Sequence, residues 1–186
     1  MSTHIPRLRR EKALLLLVDV QERLLPAMFE AERVSRYCAL LLRTARQMQI
    51  PVVATEQYPE KLGPTVAPLR ELLDATPHSK MQFSACTSDV TRELSTHMAA
   101  GRSSVVLCGL ETHVCVLQSA LDLREAGFEV WIPQDAVSSR YENDKGVALS
   151  RLHSLGAIPC STEMLVFELL REAGTPEFRA LLPFIK

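Results

Sequence analysis

Apolar runs of strand length recur along this chain, at Ala13 to Val18, Val52 to Thr55, Val105 to Leu107, Glu129 to Ile132 and Ala157 to Pro159, with helix-length stretches between them. A run that is apolar at successive positions has no face to offer water. It belongs in a sheet covered by helices on both sides, the usual setting of parallel strands. The intervening stretches carry the matching period. From Glu30 to Gln49, residues Val34, Tyr37, Cys38, Leu41, Leu42 and Ala45 fall on one stripe, with Glu32, Arg36, Arg43 and Arg46 off it, and Ile50-Pro51 ends the helix. Thr87 or Ser88 caps a helix running to about Ala99, which Gly101 closes. Helices from Val114 to Glu125 and from Asn143 to Leu155 stop at Ala126-Gly127 and at Gly156. This alternation specifies a doubly wound α/β fold with right-handed crossovers.

With 186 residues and 47% apolar content, the chain has material for one packed domain spanning 1–186, and no repeat or linker divides it. The stretch Glu56 to Pro68, with Pro59, Gly63 and Pro64, reads as an ordered loop. A formal charge of -1 without a basic stripe or acidic tail argues against nucleic acid or a membrane surface as partner. The one local excess, Arg7, Arg9, Arg10 and Lys12, lacks interleaved aromatics and reads as a solvated N-terminal arm over 1–12. The start has no signal-peptide apolar segment, and no run approaches the ~18 residues of a membrane span. A cytoplasmic protein is expected. Cysteines at 38, 86, 108, 115 and 160 form no CxxC pair, which fits free thiols in a reducing compartment.

In open α/β sheets ligands gather beyond the carboxyl ends of the strands. Three polar residues stand at such ends. Asp19 follows the first apolar run, Lys80 ends a weakly strand-like segment, and Cys115 follows the Val105 strand where a helix begins. Unpaired N–H groups and the helix dipole favour a thiolate at such a start, so the Cys115 thiol is expected to titrate toward neutrality and to serve as nucleophile. Each residue also has a bland reading: Asp19 as a cap of the turn Gln21 to Leu25, Lys80 as a surface lysine, Cys115 as a small core residue. Brought together, a carboxylate would take the thiol proton and an ammonium would favour both anions. Gly109 fits the same picture, since glycine lets the chain bend sharply and turn backbone N–H groups toward an oxyanion.

These residues sit in segments that resemble the isochorismatase-like cysteine hydrolase superfamily, and within it the isochorismatase-domain-containing group. The segments are Leu16 to Gln21, Thr55 to Pro59 with Leu62 to Thr65, Lys80 to Ser84, Val105 to Val116, Asp135 to Arg140 and Ser161 to Glu163. They follow one another in order over nearly the whole chain. The resemblance implies a three-layer α/β/α sandwich around a mainly parallel sheet, with Asp19, Lys80 and Cys115 as catalytic triad. It also implies a non-proline cis peptide at Leu110-Glu111 and an oxyanion hole from the backbone N–H groups of Glu111 and Cys115. The nicotinamidase branch holds a metal through an Asp-x-His motif near the second strand, where this chain has Thr55-Glu56-Gln57. A lone Glu56 is a poor divalent site, so no metal and no cofactor are expected, and nicotinamide is disfavoured as substrate.

The expected chemistry is hydrolysis of an amide-like C–N bond in a small molecule, with Gln21, Gln57, Tyr58, Phe83 and Thr112 lining the pocket by position. His113 either lines the pocket or faces the surface or another subunit. Competing readings are vinyl ether hydrolysis of the isochorismatase type, an idle binding module, or a thiol redox sensor pairing Cys115 with Cys108 or Cys86. A homo-oligomer is implied by resemblance, and the apolar stretch Phe178 to Ile185 either packs on a partner or closes over its own sheet.

Overall fold

The computed structural model describes residues 5–185. Strands β1 (Ala13–Val18), β2 (Val52–Gln57), β3 (His78–Lys80), β4 (Ser104–Leu110), β5 (Glu129–Pro133) and β7 (Ile158–Cys160) form a parallel sheet in the order β3-β2-β1-β4-β5-β7. The two-residue β6 (Val137–Ser138) pairs with the end of β4. The fold is the expected three-layer α/β/α sandwich. Strand β1 lies centrally and is buried along its whole length, and its side chains alternate between two cores. Ala13, Leu15 and Leu17 face one core together with Val106, Cys108 and Leu110 of β4. Leu14, Leu16 and Val18 face the other with Val105 and Leu107. That two-sided burial is why these runs show no polar alternation in the sequence.

Helix α1 (Ala31–Gln47) covers the first face, with α7 (Thr162–Leu170) and α8 (Pro176–Ile185) beside it. Val34, Cys38, Leu41 and Ala45 of its stripe are buried. The other face is covered by α4 (Ser88–Ala99), α5 (Leu117–Glu125) and α6 (Glu142–Ser154). Thr87 caps α4, its side chain accepting from the Val90 N–H. Two short helices, α2 (Pro59–Leu62) and α3 (Ala67–Arg70), stand in the stretch read as a loop.

Both ends of the described chain are tied to this body. Leu8 is fully buried, and its N–H donates to Glu168 Oε1 at 2.7 Å, while Arg10 Nε donates to the Met48 carbonyl at 2.6 Å. The arm is thus anchored through Leu8 while Arg7, Arg9, Arg10 and Lys12 stay exposed, and residues 1–4 of it lie outside the described residues. The C-terminal stretch closes over its own fold: Leu181 is buried in the first core, and Phe184 lies under the Arg43 guanidinium, 4.3 Å from its ring centre.

Candidate active site

The carboxyl ends of β1, β2, β3 and β4 lie side by side, and their register sets the candidate site. Val18 pairs with Thr55 on one side and Gly109 on the other, so Asp19 leaves β1 between β2 and β4. Its backbone turns there with φ 52°, in the left-handed region that Asp tolerates better than most residues. Gln57 and Lys80 are register partners on β2 and β3. Beyond β4 the Leu110–Glu111 peptide is cis, and the chain enters a π-helical turn, Thr112–Val116, that runs into α5. The N–H groups of Val114 and Val116 both reach the Glu111 carbonyl at 3.1 Å. Cys115 sits inside this widened turn.

Asp19, Lys80 and Cys115 meet there. The Lys80 ammonium lies 2.6 Å from Asp19 Oδ2 and donates to Cys115 Sγ at 3.7 Å. It also donates to Gln57 Oε1 at 2.7 Å and to the carbonyls of Phe83 at 3.0 Å and Gln82 at 3.3 Å. Thr55 Oγ1 donates to Asp19 Oδ1 at 2.8 Å. All three residues are almost closed to solvent, with Asp19 at 0%, Lys80 at 3% and Cys115 at 6% exposure. The bland readings of Lys80 as a surface residue and of Asp19 as a turn cap are therefore excluded.

Burial also corrects the expected thiol chemistry. Desolvation pushes the Cys115 thiol up to about 12, the nearby Asp19 charge adds to the rise, and Lys80 and the Glu111 backbone oppose it without cancelling it. The helix-start argument omitted this cost. Burial thus favours the neutral thiol at Cys115 over the thiolate. Burial likewise raises the Asp19 carboxyl, against the pull of Lys80, Thr55 and Cys115, which makes it a better proton acceptor than an exposed aspartate.

The residues expected to line the pocket divide. The Gln21 amide is spent internally: Oε1 accepts from the Gln57 N–H at 2.8 Å, and Nε2 donates to the carbonyls of Gln57 at 3.0 Å and Gly63 at 2.6 Å. Gln57 Nε2 donates to the Met81 carbonyl at 2.8 Å. Phe83 and Tyr58 carry exposed side chains, whereas Thr112 is fully buried with its hydroxyl unpartnered among the described residues. Glu56 turns its carboxylate onto Thr65, accepting from its N–H at 2.6 Å and its hydroxyl at 2.7 Å. His113 Nδ1 lies 2.9 Å from Ser139 Oγ, tying the π turn to the segment after β6. The Glu111 carboxylate accepts from Arg140 N and Nε, each at 3.2 Å.

Gly109 has a second reason to be glycine. Its own N–H donates to the Ala136 carbonyl, and a Cβ on it would stand 2.0 Å from the Val18 carbonyl oxygen. Glycine is there so that β4 can approach the end of β1. Sequence reasoning missed Ser119, whose hydroxyl donates to the Cys115 carbonyl at 2.6 Å and accepts from the Ala85 N–H at 2.7 Å. That hydroxyl fastens the loop after Lys80 to the helix after Cys115. Its only trace in the sequence is a polar residue one helical turn beyond the cysteine, on a face otherwise apolar.

The isochorismatase domain family matches residues 13–164. The secreted isochorismatase effector Isc1 of Phytophthora sojae is 39% identical over 189 residues, covering 100% of this chain and 90% of its own length. Isochorismatase domain-containing protein 2 of Danio rerio is 40% identical over 177 residues, covering 95% of this chain and 88% of its own. Among solved structures, the MAR1 ribonuclease of Caenorhabditis elegans superposes with a TM-score of 0.90 at 33% identity, covering 97% of this chain and 92% of that one. With the family pattern running from β1 into α7 and relatives matched almost end to end, the chain belongs to the isochorismatase family of hydrolases.

Proposed function

We propose that this protein is a cysteine hydrolase acting on an amide-like C–N bond of a small molecule. The observation that carries the reading is a single buried ammonium, Lys80, in contact with both the Asp19 carboxylate and the Cys115 sulfur. As substrate enters, Asp19 takes the thiol proton and the thiolate attacks the carbonyl carbon. The backbone N–H groups of Glu111 and Cys115 hold the oxyanion. Collapse breaks the C–N bond, and the leaving nitrogen takes the proton from Asp19. Water then attacks the thioester while giving a proton to Asp19, which returns it to the sulfur. Acid is released and the starting state restored. A neutral resting thiol suits this order of events, because the charged nucleophile then forms only beside its target.

The rival readings find less support. Cys108 faces the core on the opposite side of the sheet from Cys115, so a disulfide between them would need the sheet to come apart. Burial holds Cys86 up at about 11, which makes it a poor partner in thiol exchange at neutral pH. Vinyl ether hydrolysis would leave the sulfur without a task. The docked arm and α8, both packed on the first core, favour one domain over 1–186. On the same reading the protein is a cytoplasmic homo-oligomer.

The test is hydrolysis of acetamide, benzamide and nicotinamide, with a single-stranded RNA oligonucleotide alongside, by wild type and Cys115→Ser. Turnover of an amide by wild type and its loss by at least about a hundredfold in the variant is expected. Retained amide turnover in Cys115→Ser refutes the covalent route, and cleavage of the RNA alone refutes the small-molecule reading.

A further inference from the structure

The Lys80 ammonium carries three hydrogens, yet acceptors surround it on every side: Asp19 Oδ2, Gln57 Oε1, the Phe83 and Gln82 carbonyls, and Cys115 Sγ. The two carbonyls belong to the loop that follows Lys80 itself, and they compete with Asp19 and the sulfur for its hydrogens. Something must fix where it stands. We propose that Gln57 is a positioning residue whose amide oxygen holds the Lys80 ammonium in its bridge between Asp19 and Cys115, and that Gln21 braces Gln57 in that task.

Gln57 and Lys80 are register partners on adjacent parallel strands, so their side chains leave the sheet on the same side. The orientation of the Gln57 amide is not free. Its Nε2 is matched to the Met81 carbonyl at 2.8 Å, a pairing only the NH2 end can make, and this turns Oε1 onto the ammonium at 2.7 Å. The backbone beneath is equally fixed, since the Gln21 amide grips both the N–H and the carbonyl of Gln57 and reaches on to Gly63. Gln21 is itself fully buried. A neutral acceptor is what the place requires. It takes a hydrogen of the ammonium without adding a second negative charge beside a sulfur that must become an anion. Both glutamines were expected to meet substrate, and the hydrogen bonds they make give them different work. Recognition then falls to other groups around the nucleophile turn.

The proposal rests on reading Asp19, Lys80 and Cys115 as one acid–base unit, and its test does not require a known substrate. The rate of iodoacetamide alkylation at Cys115, followed by peptide mass between pH 7 and 9, reports the thiolate fraction. In Gln57→Met the ammonium loses its anchor, and the rate is expected to fall roughly tenfold at each pH. In Gln57→Glu, nearly the same shape with an added negative charge, it is expected to fall further. A glutamine that merely supports the fold predicts the opposite sign, because loosening a buried site exposes the thiol and speeds alkylation. In a Lys80→Met background the Gln57→Met effect should vanish. An unchanged or faster rate in Gln57→Glu, or an effect that persists without Lys80, overturns the proposal. Failure of the hydrolase reading would show separately, as amide turnover surviving Cys115→Ser.

Discussion

Gly109 shows how narrowly one residue type can be demanded. Its φ of 113° lies where side chains are strained, and a Cβ would meet the Val18 backbone at 2.0 Å, where no side-chain adjustment gives relief. Gly109→Ala is therefore expected to cost about 3–5 kcal/mol in urea unfolding, and a loss under about 1 kcal/mol would mean the two strands do not meet this closely. The sequence pointed to Asp19, Lys80 and Cys115 because each stands at a strand end, and the topology brings such ends to one edge. It could not disclose the protonation of the sulfur. Burial and the helix start act in opposite directions on a thiol, and only the packed site says which is larger. Nor could it separate a glutamine that waits for substrate from one already bonded on both ends, since position along a strand does not reveal what the amide touches.

At the level of elements, the long strands and helices were legible because burial on both faces writes itself as uninterrupted apolar runs and 3.6-residue stripes. Some short elements were faint or hidden. Strand β3 is three residues long and includes Ser79 and Lys80, so no hydrophobic pattern marks it and it reads only as a weakly strand-like segment. The π turn adds a residue to what reads in sequence as an ordinary helix start. Helix α8 contains Pro183, a residue that argues against a helix, yet a face of apolar residues holds the segment down on α1 and α7. Leu181 is the buried centre of that contact. Leu181→Ala is expected to cost about 2–4 kcal/mol by urea denaturation while leaving the far side of the sheet unchanged, and a neutral result would show that α8 is not held by its own core.

For the whole molecule, the buried thiols set an alkaline limit. Cys115 is raised from 9.0 to about 12 and Cys86 to about 11, and Cys160 is raised as well, in each case first by desolvation. Their folded values lie above the unfolded ones, so the stability they contribute is full below pH 9. It is lost as pH climbs, because the unfolded chain releases these protons first. Unfolding free energy measured between pH 9 and 12 should therefore fall with pH. Cys115→Ser should fall less steeply over that window, and equal slopes would contradict the raised thiol. The order of the sheet has one more consequence. Asp19 and Cys115 belong to its middle, but the cation that joins them hangs on the outermost ribbon, three residues long. Peeling of that margin would part Lys80 from Asp19 and Cys115 while every central strand stayed paired, so on the proposed function activity would be lost well before the protein melts.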